Sequence, residues 1–353
     1  MQHYHDNHSA LPRTEATPTL KIHRAALANN LDAFKRLAPK SKILLPVKAN
    51  AYGCGLGTLM PFFQSSSVDM LGVANVYEGV ELRKLGWKKP ILNLGGFFAQ
   101  TLPLFVEHGI TPAVTDLWHV EALQNLSHPS IEVHIKLDLG MGRIGIQKQE
   151  INNLLERLKS APSIKVKGIF THFPHTGEKA NTHTPQQNKI FIHEAQKIIT
   201  CLNLIRQDIL LHAANSYSTV FFPETHHDMI RPGILFYGYY QSEADRLEFK
   251  ERFPFKPCIE LVATPISYRQ IPRGAGISYS SLYTVEDAIE NAAVLPLGYA
   301  DGFPRALSNN IMFGEHPLRG RVTMDQIIVG NVTEKKTIRL LGEGVPSLEA
   351  WGD

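Results

Sequence analysis

The chain has 353 residues, too many for one small core, and its 43% hydrophobic and 20% charged content is that of an ordinary globular protein. A formal charge of +3, with basic residues scattered rather than striped, gives no support to a nucleic-acid or membrane-surface partner. The three cysteines (Cys54, Cys201, Cys258) show neither metal-ligand spacing nor an even-numbered disulfide framework, which fits a reducing cytoplasm.

Residues 1–16 are polar, hold His3, His5 and His8, and lack an apolar signal core, so a disordered tail is expected there. No later run reaches the length of a membrane span. Apolar runs of strand length then follow in order: Ile43–Val47, Met70–Ala74, Ile91–Leu94, Thr111–Val114, Ile131–Leu137, Ile164–Phe170, Leu210–Ala213 and Met229–Arg231. Helical spacing lies between several of them, as in Val80-Leu82-Leu85, Leu117-Val120-Leu123 and Ile151-Leu154-Leu155-Leu158. Strands alternating with helices predict an α/β fold, an N-terminal (β/α)8 TIM-type barrel over 17–250, with a doubly wound open sheet as the structural alternative. Beyond a charged connection, Ser242–Phe255, helical patterning fades. The runs Ile259–Tyr268, Ala292–Leu297, Arg319–Val322, Ile327–Val332 and Thr337–Leu341 predict a mostly β C-terminal domain over 251–353.

Barrel enzymes place their chemistry just past the C-terminal ends of the strands. The first strand there delivers Lys48 and Tyr52 in Lys48-Ala49-Asn50-Ala51-Tyr52-Gly53, and the fifth delivers Lys136, Asp138 and Arg143. The sixth delivers Thr171 and His172, the seventh Asn215, Ser216 and Tyr217, and the eighth Arg231, Pro232 and Gly233. A lysine buried at a strand end is costly when charged, and a Schiff base with an aldehyde cofactor relieves that cost; snorkelling into water is the plainer reading. Gly233 permits close backbone approach to an anion, and barrels commonly bind phosphate after strands seven and eight. Lysine, phosphate cradle and buried arginine together suit pyridoxal 5'-phosphate. His172 and His175 stand three apart without a third ligand, so no metal site is expected.

The stretches Val47–Gly55, Lys136–Gly145, Thr171–Phe173, His212–Ser216, Arg231–Gly238, Ser278–Tyr279, Gly298–Arg305 and Arg321–Gln326 resemble the alanine racemase family over nearly the whole chain. The resemblance implies that Lys48 bears pyridoxal 5'-phosphate, that Arg231 faces its ring nitrogen, and that Tyr52, Ser216, Gly233 and Ile234, beside Asn215, hold its phosphate. It implies Arg143 at the substrate carboxylate, oriented by a carbamylated Lys136, and His172 linking Arg231 to the second base. That base is Tyr279, with Tyr299 at the entrance and Met324 and Asp325 beside the substrate. Inverting a carbon needs a base on each face, and the resemblance gives L-alanine to Tyr279 and D-alanine to Lys48. A homodimer with shared active sites, making D-alanine for peptidoglycan, is implied as well.

Two departures stand out. Cys54 occupies a position where the family usually has histidine, and is expected to be an inert packing residue. The chain stops at Ala350-Trp351-Gly352-Asp353, short of a final family segment that holds a phosphate-contacting tyrosine. Alternatives are a racemase of other or broader specificity, such as serine, or a weakly active or non-catalytic pyridoxal-phosphate-binding protein.

Overall fold

A computed structural model describes residues 18–126, 128–174, 182–249, 253 and 255–342. The expected N-terminal tail, His175 and the C-terminal end from 343 onward lie outside the described residues. The strands are β1 (Thr19–Ile22), β2 (Lys42–Pro46), β3 (Met70–Val73), β4 (Ile91–Asn93), β5 (Ala113–Val114), β6 (Ile131–Asp138), β7 (Ile164–Phe170), β8 (Leu210–His212) and β9 (Met229–Ile230). Strands β2 to β9 form a parallel ring. Regular pairing runs β9–β2–β3–β4 and β5–β6–β7–β8. A parallel bridge between Leu92 and Thr111 joins β4 to the segment ahead of β5. The amide of Asp228 donating to Leu211 (3.0 Å) and that of Arg231 donating to Ala214 (2.9 Å) close the ring between β8 and β9.

These strands are barrel strands because both faces are covered. Leu44, Met70, Leu92 and Met229 from four different strands pack together in one buried cluster. Gly72 makes room for it, since a Cβ there would stand 2.6 Å from Leu44 Cδ2. Outside, the helix Ile151–Lys159 buries Ile151, Leu154, Leu155 and Leu158 on one stripe, as its spacing predicts. Asn75, Asp116 and Asn215 cap the helices that follow β3, β5 and β8 by accepting from amides two or three residues on. Pro112 shortens the predicted run Thr111–Val114 to two residues, because proline has no amide for the ladder.

The second compact unit is antiparallel. It includes β10 (Ile259–Ala263), β11 (Ser267–Pro272), β12 (Ile289–Leu295), β13 (Ile327–Val329) and β14 (Ile338–Leu341). One sheet has the order β1–β10–β14 and another β11–β12–β13. Ala293, Leu295, Phe303, Phe313, Leu318, Ile327, Val329 and Leu340 form its core. Four expectations change here. The run Ile259–Tyr268 is two strands, broken around Pro265. Arg319–Val322 is irregular chain rather than a strand, its path set by Gly320 at φ 73°. The connection read over Ser242–Phe255 contains a helix, Glu243–Phe249. Strand β1, which the sequence reading places in the barrel, pairs with β10 instead, Thr19 opposite Val262 and Ile22 opposite Ile259. The barrel unit accordingly spans Leu27–Gly238 with Phe253–Phe255.

Candidate active site

Past the end of β2 the chain makes an uncommon turn. Ala49, Asn50, Ala51 and Tyr52 all have φ between 53° and 56°, a left-handed turn made without glycine. Each such residue costs about 1–2 kcal/mol, so the surrounding structure must impose it. The turn presents Lys48, whose side chain is exposed rather than buried, with Nζ 5.9 Å from the Tyr52 ring centroid. Burial as a reason for Lys48 chemistry therefore falls. The buried lysine of this end of the barrel is Lys136.

Lys136, on β6, donates from Nζ to the Leu94 carbonyl at 3.2 Å. Burial, then Arg231 and Arg143, push its pKa down to about 7. At neutral pH a large share of this amine is uncharged. Two residues on, Asp138 shapes the following loop: Oδ1 accepts from the amides of Gly140 (3.1 Å) and Gly142 (3.0 Å), and Oδ2 from that of Arg143 (2.7 Å). Burial works against ionisation of Asp138, but the amides of Gly142, Gly140 and Arg143 outweigh it and hold its pKa below the usual value. Arg143 stands exposed on the loop so formed.

Arg231, beyond β9, is 4% exposed, and carbonyls and histidines are its recorded hydrogen-bond partners. Its guanidinium donates to the Thr171 carbonyl (2.6 Å), the Ala213 carbonyl (3.0 Å) and His212 Nδ1 (3.0 Å), with His172 Nδ1 at 3.5 Å. Burial lowers its pKa to about 9. Because Arg231 can only donate, His212 accepts at Nδ1, so its Nε2–H donates to His134 Nδ1 at 2.9 Å. Burial and the Arg231 charge bring His134 down to about 3 and His212 well below its ordinary value, so both stay neutral near pH 7. The same is true of His172, at about 3, depressed by burial and then by Arg231, Lys136, Arg143 and Lys48. That set of charges acting on one ring shows that the cationic residues of β2, β6 and β9 gather at one place. The sequence reading did not identify His134, His212 in this relay, or Gly168, whose Cβ would stand 2.3 Å from His134 Nδ1. The signal was present: histidines at interior positions of apolar strands, opposite a glycine.

An anion cradle lies beside it. Ser216 Oγ accepts from the amides of Gly233 (2.8 Å) and Leu235 (3.3 Å). A Cβ on Gly233 would stand 2.8 Å from the Tyr52 hydroxyl, so glycine keeps this gap open between two hydroxyls and the backbone leading to Ile234. Tyr52 is itself stacked on Tyr237 at 4.6 Å, and burial raises its pKa to about 12, so it remains a hydroxyl donor. Asn215 stands next to the cradle, with its amide committed to the helix cap, Oδ1 accepting from Ser218 N at 3.0 Å. Hydroxyl donors around a glycine gap, a lysine on the neighbouring turn and a buried donor-only arginine fit a phosphorylated aldehyde cofactor. Cys54 is buried in the turn and carries no disulfide.

In the β unit, Tyr279 is 70% exposed on a turn whose neighbours Ser278, Ser280 and Ser281 all have positive φ (63°, 59°, 49°). The Ser278 hydroxyl ties the turn to the Arg321 carbonyl at 2.9 Å. A Cβ on Gly320 would stand 2.5 Å from the Ile277 carbonyl, so only glycine lets these two segments approach. From the other side, the amides of Tyr299 and Ala300 donate to the carbonyls of Thr323 (3.0 Å) and Met324 (2.9 Å). Asp301 shapes that loop by accepting from Gly298 N at 2.9 Å. Tyr279, Tyr299, Met324 and Asp325 are thus borne on loops tied to one segment, 320–325, and all four are exposed.

A closed parallel barrel with a lysine, an anion cradle and a buried arginine at its C-terminal end defines an enzyme of the barrel class. Residues 22–241 match the alanine racemase N-terminal domain and residues 258–352 the alanine racemase C-terminal domain. An alanine racemase from Halothermothrix orenii is 34% identical over 92% of this chain and 86% of its own length. One from Methanococcus maripaludis is 34% identical over 88% of this chain and 83% of its own. Among solved structures, an alanine racemase from Clostridium difficile superposes with a TM-score of 0.85 at 30% identity, covering 96% of this chain and 90% of that one. A further solved structure is that protein in complex with cycloserine, with a TM-score of 0.84, 29% identity and the same coverage. The chain belongs to the alanine racemase family.

Proposed function

We propose that this protein interconverts L-alanine and D-alanine with pyridoxal 5'-phosphate held at the barrel's C-terminal end. The observation that carries the reading is the buried Arg231, bonded among the described residues to carbonyls and neutral histidines, beside the Gly233 cradle and the Lys48 turn. When bound, the cofactor takes up the electron pair left as the α-proton departs. Lys48 would attach its aldehyde and act as the base on the D-alanine face. Tyr52, Ser216 and the Gly233–Ile234 backbone would hold its phosphate. Arg231 would face its ring nitrogen with N–H donors, leaving that nitrogen unprotonated and restraining side reactions. Arg143, on the loop fixed by Asp138, would receive the substrate carboxylate. Lys136, partly uncharged near neutrality, is suited to reaction with carbon dioxide, and its carbamate would orient Arg143.

Tyr279 would be the base on the L-alanine face, with Tyr299, Met324 and Asp325 lining the approach. A homodimer with shared active sites, in which Tyr279 of one copy works with Lys48 of the other, agrees with the exposure of these loops. A cytoplasmic supply of D-alanine for peptidoglycan is the role that follows. Among the described residues no helix is long and apolar enough to cross a membrane.

The test is turnover of L-alanine and L-serine with cofactor added, following D-product, combined with borohydride reduction and peptide mapping. D-alanine formation with the reduced label on Lys48 is expected. A label on any other lysine, or D-serine formed in preference to D-alanine, would refute the reading.

A further inference from the structure

We propose that Glu78 is a positioning residue that holds the Lys48 turn in its left-handed form, an inference resting on the role of Lys48 proposed above. One carboxylate joins the C-terminal ends of two neighbouring barrel strands. Oε1 accepts from the amide of Ala49, the first residue of the left-handed turn, at 2.8 Å, and Oε2 accepts from Ala74 N, just past β3, at 2.7 Å. Both distances are those of charge-assisted bonds. Glu78 is itself fixed, because its own amide donates to the N-cap Asn75 Oδ1 at 3.1 Å, in the first turn of a helix, where a carboxylate is favoured. The far end of the turn is tied separately: Asn50 Oδ1 accepts from Leu56 N at 2.7 Å.

Left-handed backbone at four successive non-glycine residues does not persist by itself. The Ala49 amide adjoins Lys48, so releasing it lets the turn relax and moves the lysine from the position the turn gives it. Glu78 therefore acts on catalysis through Lys48, with no contact to substrate needed. Its chemistry also predicts which substitution fails: glutamine keeps the size but offers one acceptor oxygen where two amides must be met.

In the cofactor-loaded enzyme, Glu78→Gln should slow racemisation in both directions by roughly 10- to 100-fold, the loss that a misplacement of about 1 Å brings. Exchange of the α-hydrogen of D-alanine with deuterated solvent should fall by the same factor. Exchange from L-alanine, assigned above to Tyr279, should continue at its original rate. Adding Ala49→Gly to Glu78→Gln should recover part of the rate, since glycine adopts φ near 53° without strain. Asn50→Ala, releasing the other end of the turn, should give the same one-sided loss and decides the matter where Glu78→Gln fails to fold. Equal loss of exchange from both enantiomers, or no loss, would overturn the proposal. Undiminished exchange from D-alanine in Lys48→Ala would instead refute the role of Lys48, and the clamp's role in catalysis with it. An inactive Lys48→Ala beside an unaffected Glu78→Gln would reject the clamp alone.

Discussion

The barrel end and the Tyr279 region hold their functional side chains in opposite ways. At the barrel end, Arg231 has four recorded hydrogen-bonding partners, His134 and His212 are locked by a two-histidine bond, and Lys136 is pinned to a carbonyl. In the β unit, it is the backbone that is fixed, through Ser278, Gly298 and Gly320, while the Tyr279, Tyr299 and Met324 side chains stand 70%, 42% and 58% exposed. A scaffold presents them outward at little cost to the fold. The contrast teaches that a buried polar network must be built before anything binds, whereas exposed side chains need only a loop whose shape is specified.

The sharpest way to break that contrast is Tyr279→Phe. Removing a positioned base, the role proposed for Tyr279, costs roughly 10²–10⁴-fold, so racemisation should fall by that factor, with α-hydrogen exchange from L-alanine lost far more than from D-alanine. The midpoint of thermal unfolding should stay where it was, as for other exposed positions. Mixing this variant with Lys48→Ala should restore part of the activity where subunits exchange; no recovery despite proven exchange would argue against shared sites.

Arg231→Met tests the other side. It leaves the buried Thr171 and Ala213 carbonyls and His212 Nδ1 without their donor, and a buried acceptor left unsatisfied costs about 1–3 kcal/mol. Urea titration should show that loss even without cofactor. A stability equal to that of the parent would mean that the relay is not a support of the barrel.

The smallest effect concerns Lys136. Its pKa is depressed to about 7 from the ordinary 10.5, so between these values the unfolded chain binds more protons than the folded one. The burial penalty is full below pH 7, is relieved as pH rises, and is gone above 10.5, so stability due to this group increases with pH across that window. Lys136→Met should flatten that slope in unfolding measurements at pH 6, 7.5 and 9. Labelled bicarbonate should give a carbamate carbon signal in the parent and none in the variant.

Sequence and tertiary structure divided the work along a physical line. Eight apolar runs of strand length, several with polar residues at or just past their C-terminal ends, made the barrel and its candidate site legible, because strand period and the strand-end rule are local properties. Lys48, Arg231 and Gly233 stood out for the same reason. What packing decided was out of reach of any local pattern. Strand β1 left the barrel to pair with β10, some 240 residues away, because edge pairing depends on which sheet offers a free strand. The identity of the buried lysine changed from Lys48 to Lys136, because burial is a property of the assembled layer and not of the run that precedes a residue. In the relay Arg231–His212–His134 the two histidines stand 78 positions apart, and it exists only where Gly168 leaves space for an imidazole. The left-handed turn after Lys48 reads in sequence as an ordinary small-residue loop; a carboxylate from the next strand's helix gives it its hand.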